Sequence, residues 1–319
     1  MKPRRLPLLL LLLALPLVLA QCAGKQQNPD SMRRELMKRE AALAAADEDW
    51  EKKQAKAGQD SIPLDRLEAL GEMALQSKDY ETALMNFLEV LKQNPSRHDI
   101  RYKVGVILFL TQQMDAATKQ FALVLMQRPE MVEAHEALGM VHLEEKKYTL
   151  AIEEFRIVLN QDPRRVKALH LLGIAYLEAG QNQQAITELT KALALEPNNL
   201  NSLTTLGQAY LNKHEYAKAL GPLKKAQSLA PQDPKVHRHL GMALAGLKRY
   251  PEALEAFLKA GDEAQAYNNI GVYYYQAGQY EDAAKCFQKA IELRTVFYQE
   301  AKANLQKALE KLNLSQRDS

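Results

Sequence analysis

The 34 residues from Val166 to Asn199, VKALHLLGIAYLEAGQNQQAITELTKALALEPNN, spell two amphipathic helices and the break between them. Leu169, Leu172, Gly173 and Tyr176 fall three or four apart and mark one face of a first helix, while Ala185, Leu189 and Ala192 mark one face of a second. Gly173 and Ala185 carry so little side chain that two helices can approach closely there, and the larger Leu189 fills the space beside them. Pro197 is tolerated at a helix start and blocks continuation of the helix before it. A valine at Gly173 is expected to overpack the contact by about 1–3 kcal/mol.

The pattern recurs at a fixed interval. Gly71, Gly105, Gly139, Gly173, Gly207 and Gly241 are each 34 residues apart, and so are Ala83, Ala117, Ala151, Ala185, Ala219 and Ala253. Four residues after each alanine stand Phe87, Phe121, Phe155, Leu189, Leu223 and Phe257, and Pro95, Pro129, Pro163, Pro197 and Pro231 close the units. A single helix pair cannot bury its own apolar face, so the units have to stack. This spacing resembles the tetratricopeptide repeat, whose signature sets Leu-Gly, Tyr, Ala, Phe and Pro at such positions. The resemblance implies an all-α fold: a right-handed superhelical solenoid of about seven helix-turn-helix units with a C-terminal capping helix. The units are 64–97, 98–131, 132–165, 166–199, 200–233, 234–263 and 264–294.

Two places depart from the pattern. Gly271 follows Gly241 by only 30 residues, because the sixth unit, ending at Phe257-Leu258-Lys259-Ala260-Gly261-Asp262-Glu263, lacks the closing proline and part of its loop. Pro222 falls inside the second helix of the fifth unit, where it removes a hydrogen bond and is expected to kink the helix. Residues 295–313, from Val296-Phe297-Tyr298 through Ala301, Leu305 and Ala308, read as the solubilising cap that an open solenoid needs.

The N-terminus reads as an export signal. Lys2, Arg4 and Arg5 precede an apolar run from Leu6 to Ala20, too short to span a bilayer as a helix of about 20 residues. Val18 and Ala20 suit a cut that leaves Gln21 first, whereas Leu19-Ala20-Gln21-Cys22 resembles a lipobox, with Gln21 where that pattern has Gly, Ala or Ser. The lipobox resemblance implies a signal over 1–21, acylation of Cys22 and attachment to a membrane through that lipid; Ala23 after the cysteine implies sorting to the outer membrane. Residues 22–62 then form a polar tether and a charged helix, in which Leu36, Leu43 and Trp50 are seven apart.

Composition narrows the function classes. A net charge of +3 with 25% charged residues leaves no strongly basic surface for nucleic acid. No Gly-rich phosphate loop or Cys-x-x-Cys pair is present, and the two cysteines have no histidine partner in sequence, so no enzyme, cofactor, metal or small-molecule substrate is expected. His135 and His142 sit at positions of the unit that pack between helices, and Cys286 reads as a small half-buried side chain.

A non-enzymatic surface that binds a protein or peptide remains. The family resemblance puts positions 2, 5, 9 and 12 of each unit on a concave wall. In this chain the wall begins with Asp65, Glu68, Glu72 and Glu136 and ends with Lys235 and Arg238, so it reads as acidic early and basic late. The expected binding groove comprises Tyr102, Val106, Phe109, Met140, Leu143, Ile174, Leu177, Lys235, Arg238, Met242, Val272 and Tyr275, suited to a peptide with an apolar face and opposite charges at its ends. Glu68 and Glu72 stand where chaperone-binding members of the family hold a carboxylate tail with Lys and Asn, so that use is not expected.

A narrower resemblance joins the cysteine-bearing signal, the repeats, Ala266-Tyr267-Asn268-Asn269-Ile270-Gly271 and Phe297-Tyr298-Gln299-Glu300-Ala301-Lys302-Ala303-Asn304-Leu305. These look like the repeat lipoproteins of tight-adherence (Flp) pilus assembly, and type IV pilus pilotins are similar in plan. That resemblance implies a periplasm-facing, outer-membrane scaffold that helps a secretin or another envelope component assemble. An adaptor for peptidoglycan-remodelling enzymes and a soluble periplasmic chaperone are the alternative readings.

Overall fold

A computed structural model describes residues 62–294 and 298–317, with the isolated Lys38. The expected signal, Cys22, the tether and the Trp50 helix lie outside the described residues. The described chain is helical throughout: α1 (Leu64–Gln76), α2 (Tyr80–Gln93), α3 (His98–Leu110), α4 (Met114–Leu125), α5 (Val132–Glu144), α6 (Tyr148–Gln161), α7 (Val166–Glu178) and α8 (Asn182–Leu195). There follow α9 (Leu200–Asn212), α10 (Tyr216–Leu229), α11 (Pro234–Gly246), α12 (Tyr250–Lys259), α13 (Glu263–Gln276), α14 (Tyr280–Leu293) and α15 (Gln299–Arg317).

The repeated residues make the repeated contact. A Cβ added to Gly173 would stand 2.6 Å from Cγ of Leu189, and every repeat glycine from Gly71 to Gly271 meets the Phe or Leu sixteen residues on in the same way. Helix separation is therefore fixed by a ring or a leucine pressed onto bare backbone. The alanines Ala83, Ala117, Ala151, Ala185, Ala219, Ala253 and Ala283 are fully buried beside it.

The turn between the two helices of each unit is equally regular. In the second unit the N–H of Gln112 donates to the carbonyl of Phe109 at 3.0 Å and that of Gln113 to Leu108 at 2.8 Å, with Gln112 left-handed at φ 63°. This is the Schellman arrangement, which satisfies the last carbonyls of the first helix. The other units place Lys78, Lys146, Gly180, His214, Lys248 and Gly278 at the same left-handed position.

Within residues 67–319 each second helix packs on the first helix of the next unit, and α14 packs on α15. Successive first helices also approach one another, α3 with α5, α5 with α7 and so on to α13 with α15, while no two second helices do so to that extent. The stack therefore curves with its first helices inside. Ala301 and Ala308 of α15 are buried and Asn304 and Leu305 half-buried against the last unit, while Lys302, Ala303, Gln306 and Lys307 between them are exposed, so the end is closed by a largely polar face. Tyr298 precedes this helix rather than forming part of it.

The irregular places resolve simply. α10 continues as one helix through the half-buried Pro222, and nothing lies within 4 Å of where a Cβ on its neighbour Gly221 would stand. The shortened sixth unit has a ten-residue second helix, and Gly261, at φ 129°, turns the chain directly into α13.

Candidate functional site: the first-helix wall

Positions 9 of the units, Val106, Met140, Ile174, Met242 and Val272, are all half-buried. Position 12 divides. Phe109, Leu143 and Tyr275 remain half-buried, but Leu177 is 6% exposed, and Leu211 and Ala245 are buried as well. Leu177 is therefore not a groove residue: it belongs to the core with Leu206 and Ala209 of the following first helix. Of the other expected wall residues, Tyr102 leans on Phe121 at 5.8 Å between ring centres, Met242 packs against the core of the fifth and sixth units, and Val272 and Tyr275 pack beside Phe287.

Three of the expected residues come together. Met140 and Leu143 of α5 meet Ile174 of α7, with Leu171 beside them and Tyr148 closing one side, around an open pocket of about 420 Å³. Glu144, Lys146 and Glu178 stand on its rim, and none of the three has an ion-pair partner among the described residues. Leu171 and Tyr148 were not legible as site residues from the repeat positions alone, since neither occupies position 2, 5, 9 or 12.

The charges of the wall differ from what the sequence suggests. Arg97 reaches Glu68 at 2.7 Å and Asp99 at 2.7 Å, and Lys103 pairs with both Glu68 and Glu72. Glu136 is 4% exposed and bound by Arg165 at 2.6 Å, the last residue of its own unit, and by Lys167 at 2.5 Å from the next. Burial acts to raise the Glu136 carboxyl, and the hydrogen bonds from Arg165 and Lys167 outweigh it and hold the group below its ordinary value. The early acids are thus mostly internal counter-ions, with Asp65 and Glu133 left exposed and, among the described residues, without an ion pair.

Position 5 is largely a joint between units. Besides Glu68 and Glu136, Ser202 meets His170 at 3.2 Å, and Asn268 ties α13 to Glu300 and Asn304 of α15 at 3.1 Å each. Tyr102 and Thr204 make their contacts within their own units, and Arg238, like Lys235 at position 2, is exposed and without an ion pair among the described residues. Burial, and after it the nearby Lys235 and Arg238 cations, push the His239 imidazole down to about 4.

His135, His237 and Cys286 serve the core. His135 bridges Glu154 at 2.6 Å and the carbonyl of Pro129 at 2.9 Å, and His237 contacts the carbonyl of Pro231 at 2.7 Å, so both latch a unit to the loop before it. Burial raises the Cys286 thiol to about 11, far from a reactive thiolate. Among the described residues no cluster of His, Cys, Asp and Glu is arranged to hold a metal, and no helix is long and apolar enough to cross a membrane.

A stack of paired helices with its first helices turned inward and an open apolar pocket between two of them defines a helical-repeat solenoid built to hold other proteins. Family models described as tetratricopeptide repeat match residues 68–125, 113–165, 166–199 and 264–294, and one described as anaphase-promoting complex, cyclosome, subunit 3 matches 189–260. The chain is a tetratricopeptide-repeat protein, and proteins of this kind bind protein partners.

Solved structures agree on the fold. A tetratricopeptide-repeat protein from Parabacteroides merdae superposes with a TM-score of 0.58 at 15% identity, covering 77% of this chain and 98% of that one. The C-terminal part of a repeat protein from Cytophaga hutchinsonii gives 0.58 at 18% identity over 74% and 98%. MamA from Desulfovibrio magneticus gives 0.51 at 25% identity over 53% and 95%. No curated protein matches this chain.

Proposed function

We propose that this chain is a non-enzymatic scaffold of the bacterial cell envelope, held to the outer membrane by a lipid on Cys22 and presenting its first-helix wall to a secretin or another component of a pilus or secretion assembly. The observation that supports the binding site is the pocket between α5 and α7: Met140, Leu143 and Ile174 leave apolar surface open in a solenoid whose glycine, alanine and phenylalanine positions already complete its core. Apolar surface kept concave and accessible is what a protein ligand uses to gain affinity. The early wall has its own counter-ions, so partner affinity comes chiefly from this apolar surface and the two cations beyond it.

The tether is tested by the intact mass of the mature protein made in a bacterium with its own signal. A mass equal to the chain from Cys22 plus acyl groups, lost in Cys22→Ala, is expected. An unmodified chain beginning at Gln21 overturns the tether. The assembly role is tested by fractionating secretin in cells lacking this protein: secretin is expected to fail to reach the outer membrane, and normal arrival contradicts the role.

A further inference from the structure

The wall offers a partner two chemically distinct contacts. The pocket on α5 and α7 is apolar with a net negative rim, Glu144 and Glu178 against Lys146. On α11, Lys235 and Arg238 are exposed cations with no ion pair among the described residues, unlike Lys103, Arg165 and Lys167, which the wall's own acids already bind. From these we infer that the segment seated on the wall is apolar where it crosses α5 and α7 and acidic further along, where it meets Lys235 and Arg238. The inference rests on the wall being the partner-binding surface and gives that partner its chemistry and direction.

The asymmetry of pairing carries the argument. Had all wall charges been free, a partner with a basic end and an acidic end would fit. Glu68, Glu72 and Glu136 are held by Lys103 and Lys167 of the following unit, with Arg97 and Arg165 of their own unit also on Glu68 and Glu136, so among the described residues a basic end would find only Asp65 and Glu133 of the early acids. Burial first, and then the Lys235 and Arg238 cations, lower the neighbouring His239, with Asp233 acting the other way. The glutamates on the pocket rim disfavour an acidic residue at the apolar end, which fixes the direction of the segment. The two contacts are separated by between two and three packed first helices, about 25 Å at about 10 Å per helix. An extended segment covers that in about seven residues.

The experiment pans a phage-displayed library of random 16-residue peptides against the full-length chain, its Lys235→Glu/Arg238→Glu variant and its Ile174→Glu variant, each checked for helicity and melting. Expected are peptides pairing bulky apolar residues with Asp or Glu about seven positions away. A representative peptide, fluorescein-labelled, should bind at least tenfold more weakly to the charge-reversed protein and more weakly in high salt. The charge-reversed protein should select Lys and Arg instead. Selection without acidic bias, or the same acidic bias on both proteins, overturns the inference while leaving the wall as the binding surface. Selection unchanged by Ile174→Glu, or no selection at all, overturns the wall reading and the inference together.

Discussion

The turn inside each unit is decided by one left-handed residue. Only Gly180 and Gly278 are glycines; Lys78, Gln112, Lys146, His214 and Lys248 hold the same conformation with φ between 58° and 63°. A Cβ in that region costs about 1 kcal/mol. Gln112→Gly is expected to stabilise the protein by about 0.5–1 kcal/mol in urea unfolding, and Gly180→Ala to destabilise it by about 1 kcal/mol, although nothing lies within 4 Å of Gly180 for the new methyl to strike. Side chains that are not glycine hid this position in the sequence, whereas the bare-backbone position was plain, because no other residue fits beneath the phenylalanine or leucine. There the expected effect is steric. Gly173→Val should cost about 1–3 kcal/mol by thermal or urea melting, and Leu189→Ala in the same molecule should recover part of it, giving a non-additive cycle.

At the scale of helices, the stack depends on neighbours. Ile107 of α3 is fully buried against its neighbours, and Met73, at the corresponding place on α1, the first helix of the described stack, is 66% exposed. Ile107→Ala should cost about 2–5 kcal/mol, and Met73→Ala less than about 0.5 kcal/mol, in parallel urea titrations. The joint at Glu136 carries a pH dependence. Its carboxyl lies below the ordinary value in the folded protein, so its contribution is fully present above the unfolded carboxylate range and is lost as pH falls through the lower folded value. Stability should therefore decline below about pH 4.5, and Glu136→Gln should flatten that decline while lowering stability at neutral pH. The periodicity showed which helices pair, but not which wall residues are open. Leu143 and Leu177 occupy the same position of successive units and join the same apolar cluster, and only the depth of burial, 6% exposed for Leu177 against a half-buried Leu143, separates core from groove. Charge was misread for a similar reason: Arg165 and Lys167 sit almost thirty residues from Glu136 in sequence and directly on it in space.

For the molecule as a whole, repetition made the fold legible and left the partner to a few departures from it. An ideal solenoid has no preferred site. Here the apolar opening between α5 and α7 and the unpaired Lys235 and Arg238 break the equivalence of the units. The central claim is that a protein partner lies on the first-helix wall. Its most direct test is to place a photo-crosslinking p-benzoylphenylalanine at Met140 or Ile174, and in separate proteins at the exposed Leu123 or Ile157 of second helices, in cells that make the protein. The account predicts a discrete crosslinked adduct from both wall positions and none from the second helices; adducts from Leu123 or Ile157 alone would contradict it.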